Sequence, residues 1–235
     1  MAAAFVPGIT LSGAFFAEAV RPILAAHFPD LSYGAALLGP GSEVLGFDTP
    51  MSADHDWGLR VFLFLRDDLA FDTISARIAS LLSHHLPPTF WGQPVAIATL
   101  TSTSRARRME RAAAAAAAAM DGPVQHHVVP TTVRRFCLQQ LGVPCDQALS
   151  PTQWLSIPTP ALAEVLAGAV YRDDDTGELA ALRRRLGAAV RAIRQVAGRG
   201  VQSARVRGGA GAAAGAGGAR GRGVGGEARG AGEGV

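Results

Sequence analysis

The apolar positions in the first half of the chain alternate between helical and strand-like spacing. Leu11–Phe28 has the spacing of a helix, and Pro22 predicts a kink or break in it. Tyr33–Leu38 is a short apolar run typical of a buried strand. Trp57–Leu65 is richer in β-branched and aromatic residues and predicts a second one. Phe71–Leu86 has an apolar stripe at helical spacing, so an amphipathic helix follows the second strand.

The second half continues the alternation with shorter segments. Val95–Leu100 and Val124–Val129 predict further strands. Thr131 or Thr132 can cap a helix that runs to about Leu141. The remaining expected elements are a turn at Pro151–Leu155 and helices at Ala161–Val170 and from Glu178 to about Val196. Strands interleaved with helices predict an α/β (α+β) fold.

Two segments have compositions that do not predict a core. Residues 102–120 contain four Arg and eight consecutive Ala, which indicates an exposed insertion with local helicity. Residues 198–235 hold 15 of the 28 Gly and almost no large apolar side chain, so a disordered tail is expected. We therefore predict a domain over 1–145, a C-terminal helical segment over 146–197 and a tail over 198–235.

Charge and cysteine usage restrict the function classes. The net charge is +3, but residues 1–182 hold 11 Arg and 17 acidic residues, whereas residues 183–235 hold 11 Arg and 2 Glu. A nucleic-acid partner would depend on the tail alone, which lacks interleaved aromatic residues, so none is expected. No apolar run reaches about 18 residues, and no membrane partner is expected. Cys137 and Cys145 fit neither a disulfide framework nor a zinc site, which favours a cytoplasmic protein.

The stretch from Gly41 to Asp56 carries the candidate chemistry. Gly41 lets backbone approach a ligand closely, and the Ser42 hydroxyl can donate to a phosphate oxygen, above all at the start of a helical turn over Glu43–Phe47. Asp54 and Asp56 are two residues apart before a strand, so in extended backbone they project to one side. Paired carboxylates suit Mg²⁺ with a nucleotide.

Taken together, these residues resemble the signature of the DNA-polymerase-beta-like nucleotidyltransferase superfamily, in which Gly-Ser is followed by Asp-x-Asp about ten residues later. Further stretches are similar to one family of unknown function within it, and the resemblance covers roughly residues 5–185. They include Phe5–Gly8, Gly41–Asp48, Asp54–Gly58, Thr131–Arg134 and Glu164–Val170. The resemblance implies a mixed sheet flanked by helices, phosphates held by Gly41 and Ser42, and Mg²⁺ held by Asp54 and Asp56.

Two departures from that family leave the function open. The superfamily's third carboxylate corresponds to Val129, with His126 or His127 as substitutes. After Leu186 the family's aromatic helical region is replaced by Gly, Ala and Arg, as a shifted reading frame would produce. The resemblance implies a Mg²⁺-dependent enzyme that transfers NMP from an NTP to an unknown small-molecule or protein acceptor. The alternatives are a nucleotide-binding or regulatory module without activity and a truncated, non-functional product.

Overall fold

A computed structural model describes residues 5–49, 59–95, 122–173 and 177–192. Asp54, Asp56 and the segments predicted as an insertion (102–120) and a tail (198–235) lie outside these ranges. The chain divides into two units, Met1–Ala189 and Val190–Val235, and the fold described below belongs to the first. The predicted division near residue 145 stays a prediction.

The first helical stretch consists of α1 (Gly8–Phe15), a π-helical segment (Phe16–Val20) and α2 (Arg21–His27). The N–H of Arg21 donates to the carbonyl of Phe16, one residue further back than in an α-helix. Pro22 has no N–H to continue the α-helical ladder, so the interruption predicted there occurs as a widened turn.

This stretch, Gly8–His27, is long and apolar enough to cross a membrane by length and composition alone, with a mean hydropathy of 1.3. Core helices of soluble proteins meet the same criterion. Its largest apolar side chains are buried against the sheet. They are Leu11, Phe15, Phe16, Val20 and Leu24. These five side chains belong to the apolar core, and 33% of the 18-residue apolar segment is buried.

A mixed four-stranded sheet and a small hairpin contain the strands of the described residues. They are β1 (Gly34–Leu37), β2 (Arg60–Phe64), β3 (Thr89–Phe90), β4 (Gln93–Pro94), β5 (His127–Thr131) and β6 (Ala169–Arg172). The large sheet has the order β5-β2-β1-β6, and β3 pairs with β4. β1 is antiparallel to β2 and β6, whereas β2 and β5 are parallel. The α/β fold class and the mixed sheet are confirmed.

Alternate residues of the central strands face two separate cores. The remaining helices are α3 (Phe71–His85), α4 (Val133–Leu141), α5 (Pro151–Ser156), α6 (Thr159–Leu166) and α7 (residues 178–192). Val61 and Leu63 of β2 pack with the N-terminal helices and α3. Phe62 and Phe64 pack with side chains of α4, α6 and α7, including Phe136. Helices after residue 146 therefore complete the core on the second face.

Several helix ends follow the sequence. Thr132 caps α4 by accepting a hydrogen bond from Arg135 N at 3.1 Å, and Gly142 ends the helix with φ +73°. The Asp173 carboxylate accepts hydrogen bonds from Leu179 N and Ala180 N at the start of α7. The predicted cap at Thr132 is therefore confirmed, whereas the hydrogen bonds of Asp173 were not predicted.

Other expectations were wrong. The helix predicted over Ala161–Val170 ends at Leu166, and Ala169 begins β6. Gly168 makes this switch with φ +69°, where a side chain would collide with the β1 backbone. β5 starts three residues later than predicted and continues through Pro130, which an edge strand tolerates. Pro151–Ser156 forms a helix with a Ser150 capping box, not only a turn. Val95 lies outside any strand, and 96–100 lie outside the described residues.

Candidate functional site

The Gly41-Ser42 segment lies just beyond the carboxyl end of β1. Residues 42–46 form a hydrogen-bonded turn, in which Val44 N donates to Gly41 O and Phe47 N donates to Ser42 O. The helical turn expected over Glu43–Phe47 is therefore wrong, and Ser42 does not start a helix. The turn places the Gly41-Ser42 backbone beyond the carboxyl end of β1, a central strand of the sheet.

Gly41 is fixed by its backbone and by its neighbours. Its φ of +145° lies in a region that favours glycine. A Cβ on Gly41 would lie 2.6 and 2.7 Å from the carboxylate oxygens of Glu43, and 2.8 Å from a guanidinium nitrogen of Arg60. Glycine is required because two charged groups pack directly against this residue.

Among the described residues, the Ser42 hydroxyl has no hydrogen-bond partner, although its oxygen is buried. Leaving such a group unsatisfied costs about 1–3 kcal/mol. Native structures rarely accept this cost without a functional reason. Arg60 Nε is a second buried donor in this state at the same turn, so Ser42 and Arg60 are both candidates to donate to a ligand.

A buried ion pair, which we call the Glu43–Arg60 pair, supports the turn and was missed by sequence reasoning. Arg60 donates to Glu43 at 3.0 Å, and their side chains are 11% and 0% exposed. The same guanidinium also donates to the carbonyl of Pro40. Arg60 is the first residue of β2, so the pair ties the turn after β1 to the start of the neighbouring strand. The only sequence signal was an acid directly after Gly-Ser.

The end of the same loop is attached to the first helix. The Asp48 carboxylate accepts a hydrogen bond from Gly8 N at 2.6 Å, where negative charge is favoured at the start of α1. Tyr171 of β6 donates to the carbonyl of Ile9 at 2.8 Å, and burial raises the pKa of this phenol. The loop is therefore held near its start by the Glu43–Arg60 pair and at its end by the hydrogen bond from Gly8 N to Asp48.

Asp54 and Asp56, the predicted metal ligands, lie outside the described residues. The structure thus brings Gly41 and Ser42 to the start of β2 and leaves the two aspartates undescribed. Within the described ranges, no group of three or more His, Cys, Asp or Glu could hold a metal ion. Carboxylate oxygens are suitable Mg²⁺ ligands, so Asp54 and Asp56 remain the predicted metal site by their chemistry.

Val129, the position assigned to the missing third carboxylate, lies on β5. It pairs with Phe62 of β2, and its side chain is 38% exposed. A longer, charged side chain would have access to solvent there. Its neighbour Phe62 lies six residues after Asp56 in the sequence.

His126, considered as a substitute base, is held by backbone groups. Its Nε2 lies 3.1 Å from Ala79 O, and its Nδ1 accepts a hydrogen bond from Val128 N at 3.2 Å. Burial lowers the pKa of His126, which favours the neutral ring. With both ring nitrogens in use, His126 joins β5 to α3. His127 begins β5 and is half-buried.

The two cysteines are free and buried, and they lie beside each other. A hydrogen bond with Cys145 and burial both raise the pKa of the Cys137 thiol. Arg185 donates to the carbonyl of Cys145 at 2.7 Å. The two cysteines pack in the core of the second face.

The resemblance to the nucleotidyltransferase superfamily rests on the signature residues in the sequence. A comparison with family models, curated proteins and solved structures found no match to this chain.

Proposed function

We propose that this protein is a Mg²⁺-dependent nucleotidyltransferase of the DNA-polymerase-beta-like superfamily that acts in the cytoplasm. The observation that carries the proposal is the buried Ser42 hydroxyl, which has no hydrogen-bond partner in the part of the chain that the structure describes. It lies in a turn that Gly41 allows, beside the start of β2. A phosphate oxygen of an NTP supplies the acceptor that this hydroxyl lacks.

Arg60 of β2 contacts the first half of the signature and follows the second half in the sequence. Arg60 contacts the turn, and Asp54 and Asp56 precede Arg60 by six and four residues. Side chains two residues apart share a face of extended backbone, so an extended approach to β2 directs both aspartates to the Arg60 face. Asp54 and Asp56 would hold Mg²⁺, which would neutralise phosphate charge. The acceptor hydroxyl oxygen bonds to the α-phosphorus while the bond from the α-phosphorus to the bridging oxygen of pyrophosphate breaks. Pyrophosphate leaves, and the hydroxyl proton passes to water.

A second function, nucleotide binding without transfer, is favoured by Val129. An exposed valine at the position assigned to the third acid leaves the metals more weakly held. It also removes a base for the acceptor hydroxyl, and the engaged ring nitrogens of His126 do not replace that base. This alternative retains Gly41, Ser42, Asp54 and Asp56 as a binding site.

Calorimetric titration tests both functions without knowledge of the acceptor. Mg²⁺–ATP and the other Mg²⁺–NTPs are titrated into wild type and into Asp54→Asn/Asp56→Asn. The matched control is Asp67→Asn/Asp68→Asn, which changes the exposed aspartates just after β2. Metal-dependent binding that only the first variant loses supports the site. A folded wild type that binds no NTP excludes it. Pyrophosphate release in an acceptor screen then separates transfer from binding alone.

A further inference from the structure

We infer that Glu43 and Arg60 are positioning residues that hold the Gly41-Ser42 turn in the conformation that binds phosphate. The inference rests on the proposed function, and it extends that function to two residues outside the signature. Neither residue was assigned a role from the sequence, because charged side chains usually lie at the surface.

The burial of the Glu43–Arg60 pair indicates a role in the adjacent turn rather than a contribution to overall stability. Glu43 is fully buried, and Arg60 is nearly so, although taking both charges out of water is costly. Well-packed apolar residues of similar volume often stabilise a fold as well as a buried ion pair does. What they cannot reproduce is the directed hydrogen bonding of a guanidinium that holds Glu43 and the Pro40 carbonyl at the same time.

These contacts enclose Gly41. Arg60 holds the chain before Gly41 through Pro40 and the chain after it through Glu43. The Glu43 carboxylate and the Arg60 guanidinium lie where a Gly41 side chain would be. The strand that carries Arg60 is the one that follows Asp54 and Asp56, so the pair sets the position of Ser42 relative to the predicted metal ligands.

The experiment replaces the pair with apolar residues in the full chain. In Glu43→Leu/Arg60→Met we expect a melting temperature near that of wild type and at least tenfold weaker Mg²⁺–ATP binding. The matched control is Arg134→Met/Asp146→Leu, which removes an exposed pair joined at 2.7 Å. Its binding should equal that of wild type. A folded Glu43→Leu/Arg60→Met variant that binds as tightly as wild type overturns the inference and leaves the proposed function intact.

Hydrogen exchange provides a readout that does not require nucleotide. The N–H groups of Val44, Gly46 and Phe47 are bonded within the turn. Their exchange should accelerate in the apolar variant, while exchange in β1 and β2 stays unchanged. If wild type binds no nucleotide, the proposed function fails. Unchanged exchange in the turn of the apolar variant would then overturn the positioning role of Glu43 and Arg60 as well. Faster exchange would support their role in holding the turn.

A conservative variant covers the case in which the apolar variant does not fold. Arg60→Lys keeps the charge but replaces the planar guanidinium, one nitrogen of which donates to both the Pro40 carbonyl and Glu43, with an ammonium on a flexible stem. We expect it to fold, to bind Mg²⁺–ATP several-fold more weakly and to exchange faster at Val44, Gly46 and Phe47. Wild-type values for both binding and exchange would contradict the inference.

Discussion

Two strands of the sheet are followed by a hydroxyl residue, and the two hydroxyls are used differently. After β5, Thr132 accepts a hydrogen bond from Arg135 N and starts α4. After β1, the Ser42 hydroxyl is buried in a turn and has no hydrogen-bond partner among the described residues. The Thr132 hydroxyl is therefore satisfied within the fold, whereas the Ser42 hydroxyl is left as a donor for another group. The comparison separates a residue that stabilises the fold from one that fits a ligand.

The largest effect on stability is expected from Gly41→Ala. The new Cβ displaces the Glu43–Arg60 pair and adds backbone strain, so we expect a loss of roughly 2–4 kcal/mol in the free energy of unfolding. Glu43 and Arg60 have flexible side chains, but they cannot move without breaking their buried contact.

Gly46→Ala is the matched control for Gly41→Ala. Gly46 also has a positive φ, +73°, but a Cβ there meets nothing within 4 Å. It should cost about 1 kcal/mol from strain alone. Chemical denaturation of both variants checks the difference. Equal losses would show that the ion pair does not constrain Gly41.

Thr132→Ala should have a moderate effect on stability. It removes the cap of α4, which is worth about 1 kcal/mol. Nucleotide affinity should not change, because the Thr132 hydroxyl is used within the fold. Thr132→Ser, which retains the hydroxyl, should restore most of the stability in the same denaturation measurement. A fall in affinity for Thr132→Ala would mean that the two junctions are not independent.

Val129→Glu tests the predicted register of β5 and should barely change stability. The position is exposed, so a change within about 0.5 kcal/mol is expected. If Val129 occupies the third-acid position, Glu should raise Mg²⁺ affinity or activity several-fold. Leu138→Glu, at another exposed apolar position, serves as control. No gain specific to Val129→Glu would contradict the assignment of this strand.

The sequence predicted the elements whose signals are local. The apolar stripe of α3, the run of β2 and the cap at Thr132 are each encoded by neighbouring residues, and each was confirmed. β6 was missed because Ala169 and Val170 continue the helical spacing of Leu162, Val165 and Leu166, which predicted one helix over the whole segment. The β3–β4 hairpin was also missed. Its turn has positive φ at both Trp91 and Gly92, and Trp is an unusual residue for that conformation.

The candidate site could be predicted only in part, for a related reason. Gly41 and Ser42 were predicted as site residues because their residue types are suited to binding a phosphate. The roles of Glu43 and Arg60 depend on burial and on a contact between residues 17 apart, which no local pattern reports. Asp54 and Asp56 stay predictions because they lie outside the described residues.

The most direct measurement compares Ser42→Ala with wild type in two assays, denaturation and Mg²⁺–ATP calorimetry. Removing an unsatisfied buried hydroxyl should leave stability unchanged or raise it by about 1 kcal/mol. Losing a hydrogen bond to a charged phosphate should cost about 1.5–3 kcal/mol of binding, which is roughly tenfold or more in affinity. The predicted result for Ser42→Ala is therefore unchanged or higher stability with weaker Mg²⁺–ATP binding. For Thr132→Ala the expectation is the reverse, lower stability with unchanged binding. A less stable Ser42→Ala variant that binds Mg²⁺–ATP as tightly as wild type would contradict a ligand role for Ser42.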